Sequence, residues 1–221
     1  MVQLIKCECG LTFIPGDPEN KKNHEKIHAE YSLGPDLPSV ELASPLGASD
    51  NFSIYCIDQT CSLETRQKLA YVAMVAARSM PDYPAGYDGT GAECDQRLFI
   101  AVKMNRVVAI VITALDDRFW RCAWAEDGSI TLIEREVSIH QRHKITRVWT
   151  AAAYRRQGLA INLVKTAACL FSIEIFNLGW ELPFTKGGES LVKYLCPISF
   201  WGCGDLRSLN TSIHRPKSNG C

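Results

Sequence analysis

The sequence predicts an α+β fold, a mixed and largely antiparallel sheet with packed helices, carrying a small N-terminal module stapled by metal ligands. Three observations support this. From residue 52 onward, β-type runs and helical periodicities follow the order strand, helix, antiparallel strands, strand, helix, strand, helix, strand. The β-rich runs 97–103 and 107–114 flank the short polar turn Met104-Asn105-Arg106, which reads as a hairpin. The first thirty residues hold Cys7, Cys9, His24 and His28, with too few apolar side chains to bury a core unaided.

Taken in order, residues 1–32 form the finger-like module, with a helical stretch over 20–31. Residues 33–50, rich in Pro, Gly and Ser, read as a linker. The main α+β domain spans 51–205, and 206–221 is expected to be a flexible tail. Within the domain, 52–57 is a strand. A helix over 63–79 buries Leu69, Val72, Ala73 and Ala76 on one face and is stopped by Pro81 and Pro84. After the hairpin, 130–137 is a further strand and 145–150 a central one. A helix over 156–171 follows, with Ile161, Leu163, Val164, Ala167, Ala168 and Phe171 at helical spacing. Short strands at 179–182 and 198–201 enclose a last helix at 187–195.

At 221 residues the chain accommodates one domain and an appendage. Its 24 basic and 24 acidic residues cancel, which argues against a broad nucleic-acid surface, although Arg142-His143-Lys144 and Arg215-Pro216-Lys217 are local basic patches. Charges interrupt every apolar run before the ~18 residues of a membrane span, so no membrane partner is expected. The opening residues lack a basic region followed by an apolar core, so an intracellular, reducing setting is expected. The ten cysteines are scattered, which suits buried thiols or ligands better than disulfides. Cys56, Cys61, Cys94, Cys122, Cys169 and Cys196 have no accompanying histidine pattern, so a nucleophilic cysteine is not expected.

Cys7, Cys9, His24 and His28 are the candidate metal ligands. Histidines four apart share a helix face, so both imidazoles can reach one zinc ion. Cys7-Glu8-Cys9 gives a tighter bite than the usual separation. The alternative is two strand thiols and two solvated histidines. Four protein ligands would make the zinc structural, since no open position remains for a substrate.

The segment Arg155-Arg156-Gln157-Gly158-Leu159-Ala160 is the candidate anion cradle. It follows a β-type run and opens a helix. Gly158 removes the Cβ that would hold a ligand off the backbone, and first-turn N–H groups have no internal partners, so they can bind a diphosphate. The alternative is an ordinary structural turn.

Together, the block from Cys9-Gly10-Leu11-Thr12-Phe13 through Pro18-Glu19 to His24 and His28, and the block Thr146-Arg147-Val148-Trp149 followed by Arg155 to Ala160, resemble the cohesion-establishment (ECO/ESCO) N-acetyltransferases. That family joins a short finger to a GNAT-type acetyltransferase domain. The resemblance is specific in those two blocks, loose over 52–139 and partial after 179. It implies transfer of acetyl from acetyl-CoA to lysines of the cohesin ATPase head subunit in the nucleus during sister chromatid cohesion, with contacts to chromatin or the replication machinery. It places Val148, Trp149 and Thr150 along the acetyl-pantetheine arm, and Arg156, Gln157, Gly158, Leu159, Ala160 and Ile161 at the pyrophosphate. Thr146 stands where the family usually has a catalytic-site serine. As a residue, Thr146 reads equally as a β-branched strand position, and Trp149 reads better as a core aromatic than as a substrate contact.

Three departures accompany the resemblance. The finger has Cys-x-Cys, with Lys6 where a first cysteine is expected. The acidic loop after the last catalytic strand is reduced to Phe184-Thr185-Lys186-Gly187-Gly188, with Thr185 its remaining candidate. Lys165 replaces an acidic residue on the cradle helix. Because an ammonium must lose a proton before attacking a thioester, the site needs a base, for which Glu134, Glu136 and Asp205 are candidates. A relative that binds CoA or chromatin without turnover is the alternative reading.

Overall fold

The computed structural model describes residues 3–49, 51–78, 87, 89–90, 95–134, 141–182 and 184–204. The expected tail and the acidic candidates Glu136 and Asp205 lie outside the described residues, and only the backbone of Glu134 is described.

Two short strands, β1 (Ile5–Lys6) and β2 (Thr12–Phe13), pair antiparallel and lead into α1 (Pro18–Leu33). The helix starts two residues before the predicted stretch. Asp17 caps it by accepting from the backbone N–H groups of Glu19 and Asn20, and Pro18 occupies the first turn, where a missing donor costs nothing.

The large sheet is built from β3 (Gly47–Ser49), β4 (Phe52–Ile57), β5 (Arg97–Lys103), β6 (Arg106–Asp116), β7 (Trp120–Trp124), β8 (Ile130–Glu134), β9 (Arg142–Thr150), β10 (Gly179–Leu182) and β11 (Ser199–Gly204). Its order is β3-β4-β5-β6-β9-β10-β11-β7-β8, antiparallel throughout except for the β9–β10 and β10–β11 pairs. The predicted mixed, largely antiparallel sheet is therefore present. β7 was absent from the sequence reading, because its run Trp-Arg-Cys-Ala-Trp alternates over only five residues. β3 lies inside the segment read as linker and pairs with β4. β9 begins three residues earlier than predicted.

Three further helices pack on the sheet: α2 (Leu63–Ala77), α3 (Leu159–Leu170) and α4 (Lys186–Leu195). On one face, Leu159, Leu163, Val164, Ala167 and Ala168 of α3 and Val192 of α4 are buried with Phe99, Val111, Ile145, Trp180, Leu182 and Phe200. On the other, Leu69, Val72, Ala73 and Ala76 of α2 meet Leu98, Ile100, Val107, Ile110, Ile112 and Trp149. Successive side chains of a strand point to opposite faces, so the near-continuous apolar runs of β5 and β6 reflect burial on both.

The segment after α1 is tied to the β5–β6 hairpin. Val107 donates its N–H to the Pro35 carbonyl at 2.9 Å and Leu37 donates to Asn105 at 2.8 Å. Arg106 donates to the Gly34 carbonyl at 2.7 Å and pairs with Asp36 at 3.0 Å. Gly34 has φ +87°, and a Cβ there would lie 2.2 Å from the Val107 carbonyl oxygen. Gly34→Ala is therefore expected to cost about 2 kcal/mol or more, combining left-handed strain with a backbone clash, read as a lowered midpoint in thermal or urea unfolding.

Candidate active site and metal centre

The parallel ladder between β9 and β10 consists of two residue pairs, Lys144 with Gly179 and Ile145 with Trp180. Beyond them the strands diverge. The register between β6 and β9 shifts here too: Ile112 pairs with Arg147 and Thr113 with Ile145, which leaves Thr146 as the extra residue of a bulge. A bulge bends its strand and increases its twist, which helps turn β9 away from β10. Thr146 is held in place by donating its hydroxyl to the Ile112 carbonyl at 3.2 Å.

The divergence opens a cleft lined by Ile145 to Val148 on β9, Trp180 and Glu181 on β10, and Phe184, Thr185, Gly188, Leu191 and Val192 around α4. At the start of the β9–β10 ladder, Lys144 forms an ion pair with Asp116 of β6 at 2.9 Å. Burial opposes ionisation of Asp116, but the Lys144 ammonium and the N–H groups of Asp117 and Arg118 together hold its carboxyl below the usual range.

Of the predicted site residues, Thr146, Val148 and Thr185 line the cleft. Thr185 also caps α4, accepting from the Gly188 N–H at 3.1 Å. Trp149 projects its ring to the other face, where it is buried with the α2 core, as its core-aromatic reading expected. Thr150 accepts at its carbonyl from Arg155 Nε at 3.2 Å.

The sequence reading missed Glu181, which among the described residues is the one carboxylate lining the cleft. Its neighbours Trp180 and Leu182 are both buried in the layer with α3 and α4, so alternation sends the Glu181 side chain to the opposite face. The available signal was the period of the strand Gly-Trp-Glu-Leu, where a charge stands between two core positions.

The candidate cradle lies where β9 ends. A single 3-10 turn, Ala152–Tyr154, leads into Arg155, then Arg156 at φ +64°, then Gly158 at φ +78°, which serves as N-cap of α3. The helix therefore starts at Leu159 rather than at Arg156, because two left-handed residues precede it. No side chain caps the α3 N-terminus, and a Cβ built on Gly158 would meet nothing within 4 Å. The first-turn N–H groups thus open onto free space, as an anion site at a helix N-terminus requires. Leu159 is buried, whereas Arg155, Arg156 and Gln157 are exposed.

In the finger, the Cys7, Cys9, His24 and His28 donor atoms all lie within 4.8 Å of one another. A turn closed by Gly10 N–H to the Cys7 carbonyl at 3.0 Å, with Gly10 at φ +88°, puts both thiols on one side despite the short spacing. Cys7 Sγ and His28 Nδ1 are 3.2 Å apart. His24 stacks on Phe13 at 3.7 Å between ring centroids, and its buried Nε2 has no hydrogen-bond partner. Burial, reinforced by the neighbouring Cys7, raises the Cys9 thiol. An orphaned imidazole nitrogen beside two crowded sulfurs fits a tetrahedral Cys2His2 metal site.

The other buried thiols stay protonated. Burial pushes Cys56 and Cys203 up to about 12 and Cys122 to about 11, and it raises Cys196 as well. None of these can supply a thiolate nucleophile near neutral pH, and Cys94 lies outside the described residues.

No protein-family model matches the chain. Among curated proteins it is similar to the N-acetyltransferase ECO1 of Eremothecium gossypii, with 23% identity over 222 residues covering 86% of this chain and 83% of that protein. Among solved structures it matches the xEco2 acetyltransferase domain bound to a CoA conjugate, with TM-score 0.58 and 14% identity over 73% of this chain and 97% of that one. It also matches the same domain without the conjugate, with TM-score 0.57 and 15% identity over 76% of this chain and 99% of that one. These solved structures establish a common fold, and the curated relative extends the likeness along most of both sequences. Along most of its length the chain is thus similar to a cohesion-establishment N-acetyltransferase, and it has the fold of that family's acetyltransferase domain.

Proposed function

We propose that this acetyltransferase moves the acetyl group of acetyl-CoA to lysines of the cohesin ATPase head subunit, in the nucleus, during sister chromatid cohesion. The observation that carries acetyl transfer is a cleft between two diverging parallel strands beside an uncapped, glycine-opened helix N-terminus. The cohesin substrate and the nuclear setting rest on the family. A relative is named ECO1, and the chain carries that family's finger and cradle blocks. No helix among the described residues is long and apolar enough to cross a membrane.

In this reading acetyl-CoA enters from the α3 and α4 side. Its diphosphate meets the N–H groups from Arg156 to Ile161, and its pantetheine arm runs along Val148 to Thr150. The acceptor lysine approaches from the face that carries Glu181. Glu181 takes the ammonium proton, the free amine attacks the thioester carbon, and the C–S bond breaks to release CoA. No β10 residue is paired with Val148, so its backbone N–H is suited to stabilise the oxyanion. Thr146 shapes the bulge that aims this segment.

The Cys2His2 group would hold zinc, which supplies a covalent-strength staple for a module without a core of its own: α1 has no fully buried residue. The chemistry of acetyl transfer does not pass through it.

Retention of the fold without turnover is the second reading. The loop Phe184-Thr185-Lys186-Gly187-Gly188 carries no carboxylate where the family has an acidic or amide side chain, and Lys165 replaces an acid found in some family members on α3.

Four measurements test these assignments. Gly158→Glu is expected to abolish CoA binding in calorimetry, because a carboxylate would be driven into the diphosphate site; unchanged affinity would refute the cradle. Glu181→Gln is expected to lower kcat about a hundredfold or more while leaving CoA affinity unchanged, read by steady-state kinetics beside calorimetry. If wild-type protein binds CoA but acetylates neither itself nor cohesin head peptides, the second reading prevails. Metal analysis of the purified chain is expected to find one zinc, lost in the His24→Ala variant.

A further inference from the structure

The finger touches the cradle through the Tyr31 side chain. Tyr31 lies three residues after the metal-ligand candidate His28 on α1, with their ring centroids 6.2 Å apart. On its other side the Tyr31 ring receives the guanidinium of Arg155, whose Cζ is 5.0 Å from the ring centroid. Arg155 is the first residue of the cradle. Its Nε is simultaneously tied to the Thr150 carbonyl at the end of β9.

This contact matters because the loop is both exposed and strained. Arg156 sits at φ +64°, a conformation that L side chains other than Asn and Asp seldom adopt, and Arg155, Arg156 and Gln157 are all on the surface. A strained segment persists only when its surroundings over-determine it, and here burial contributes little. Among the described residues, the side-chain restraints on the loop are Arg155 to Thr150, Gln157 Nε2 to the Ala153 carbonyl at 3.0 Å, and Arg155 on Tyr31. The first two come from residues at most five positions away. Tyr31 supplies a restraint from a separate module, 124 positions away in sequence.

The finger is itself seated against the domain. Glu30 and Arg78 are 3.8 Å apart, and Cys9, Ile27 and Tyr31 share a small pocket with Val75, Arg78 and Trp149. Tyr31 is therefore presented from a fixed platform.

We propose that Tyr31 is a positioning residue of the acetyl-CoA site, holding Arg155 so that the left-handed diphosphate loop is pre-formed before the co-substrate binds. The finger is then a functional wall of the CoA site as well as an appendage. This rests on the reading of residues 156–161 as the diphosphate cradle.

The test is CoA binding by calorimetry on the full chain. A cation–π contact at a partly exposed site contributes about 0.5–1 kcal/mol, so Tyr31→Ala is expected to weaken CoA roughly two- to fivefold. Tyr31→Phe keeps the aromatic face and is expected to restore wild-type affinity. In an Arg155→Gln background, Tyr31→Ala is expected to have no further effect, because the coupling runs through that guanidinium. Unchanged affinity in Tyr31→Ala, or equal losses with and without Arg155, would overturn the proposal. A Tyr31→Ala protein that melts early is covered by Tyr31→Phe and the double variant, since general destabilisation would not depend on Arg155. If Gly158→Glu also leaves CoA affinity intact, the cradle reading has failed; if Gly158→Glu abolishes binding while Tyr31→Ala does nothing, only the role of Tyr31 has.

Discussion

The short parallel ladder between β9 and β10 is the constraint on which the cleft depends. Two residue pairs fix the strands at one end, and the bulge at Thr146 turns β9 away at the other. A sheet that splays would normally leave backbone groups and apolar side chains in water. Here the flanking layers absorb that cost: α3 and α4 bury Ile145, Trp180 and Leu182 from one side, and α2 buries Ile112 and Trp149 from the other. The gap survives because both of its walls belong to well-packed halves.

The same geometry gives the two faces of the sheet different chemistry. The helix-covered face offers an apolar wall and a helix N-terminus. The opposite face, near β10 and β11, carries Glu181, the Lys144–Asp116 pair and Arg121 stacked over Trp201 at 5.0 Å. Lys144 and Asp116 there are partly buried and paired, and Arg121 donates to the Ser199 hydroxyl, a polar surface laid over the core without opening it.

Much of this was legible in the sequence, for physical reasons that differ by element. The hairpin β5–β6 and the helices α2 and α3 were visible because strong periodicity and turn residues agreed locally. The metal ligands were visible by type, although the Cys-x-Cys spacing looked too tight until the Gly10 turn showed how both thiols reach one side. β7 was not visible, because a five-residue edge-region strand carries little pattern. Glu181 is hard to see in the sequence because the family resemblance directs attention to the loop after β10, whereas alternation within β10 sets this carboxylate on the open face. The start of α3 was misjudged by three residues, since nothing in Arg-Arg-Gln announces a left-handed turn before the glycine.

The strap through Gly34, Pro35 and Asp36 bears on how this chain can be taken apart. Although the sequence reads as module, linker and domain, the linker completes the hydrogen bonding of Val107 and fills the space beside it so closely that a methyl group is excluded at Gly34. A cut at the apparent linker would leave a raw edge on the β5–β6 hairpin at the heart of the sheet. The boundary that composition suggests after residue 32 therefore runs beside residues whose bonds belong to the sheet, and a cut that keeps the β5–β6 hairpin whole has to fall before Gly34.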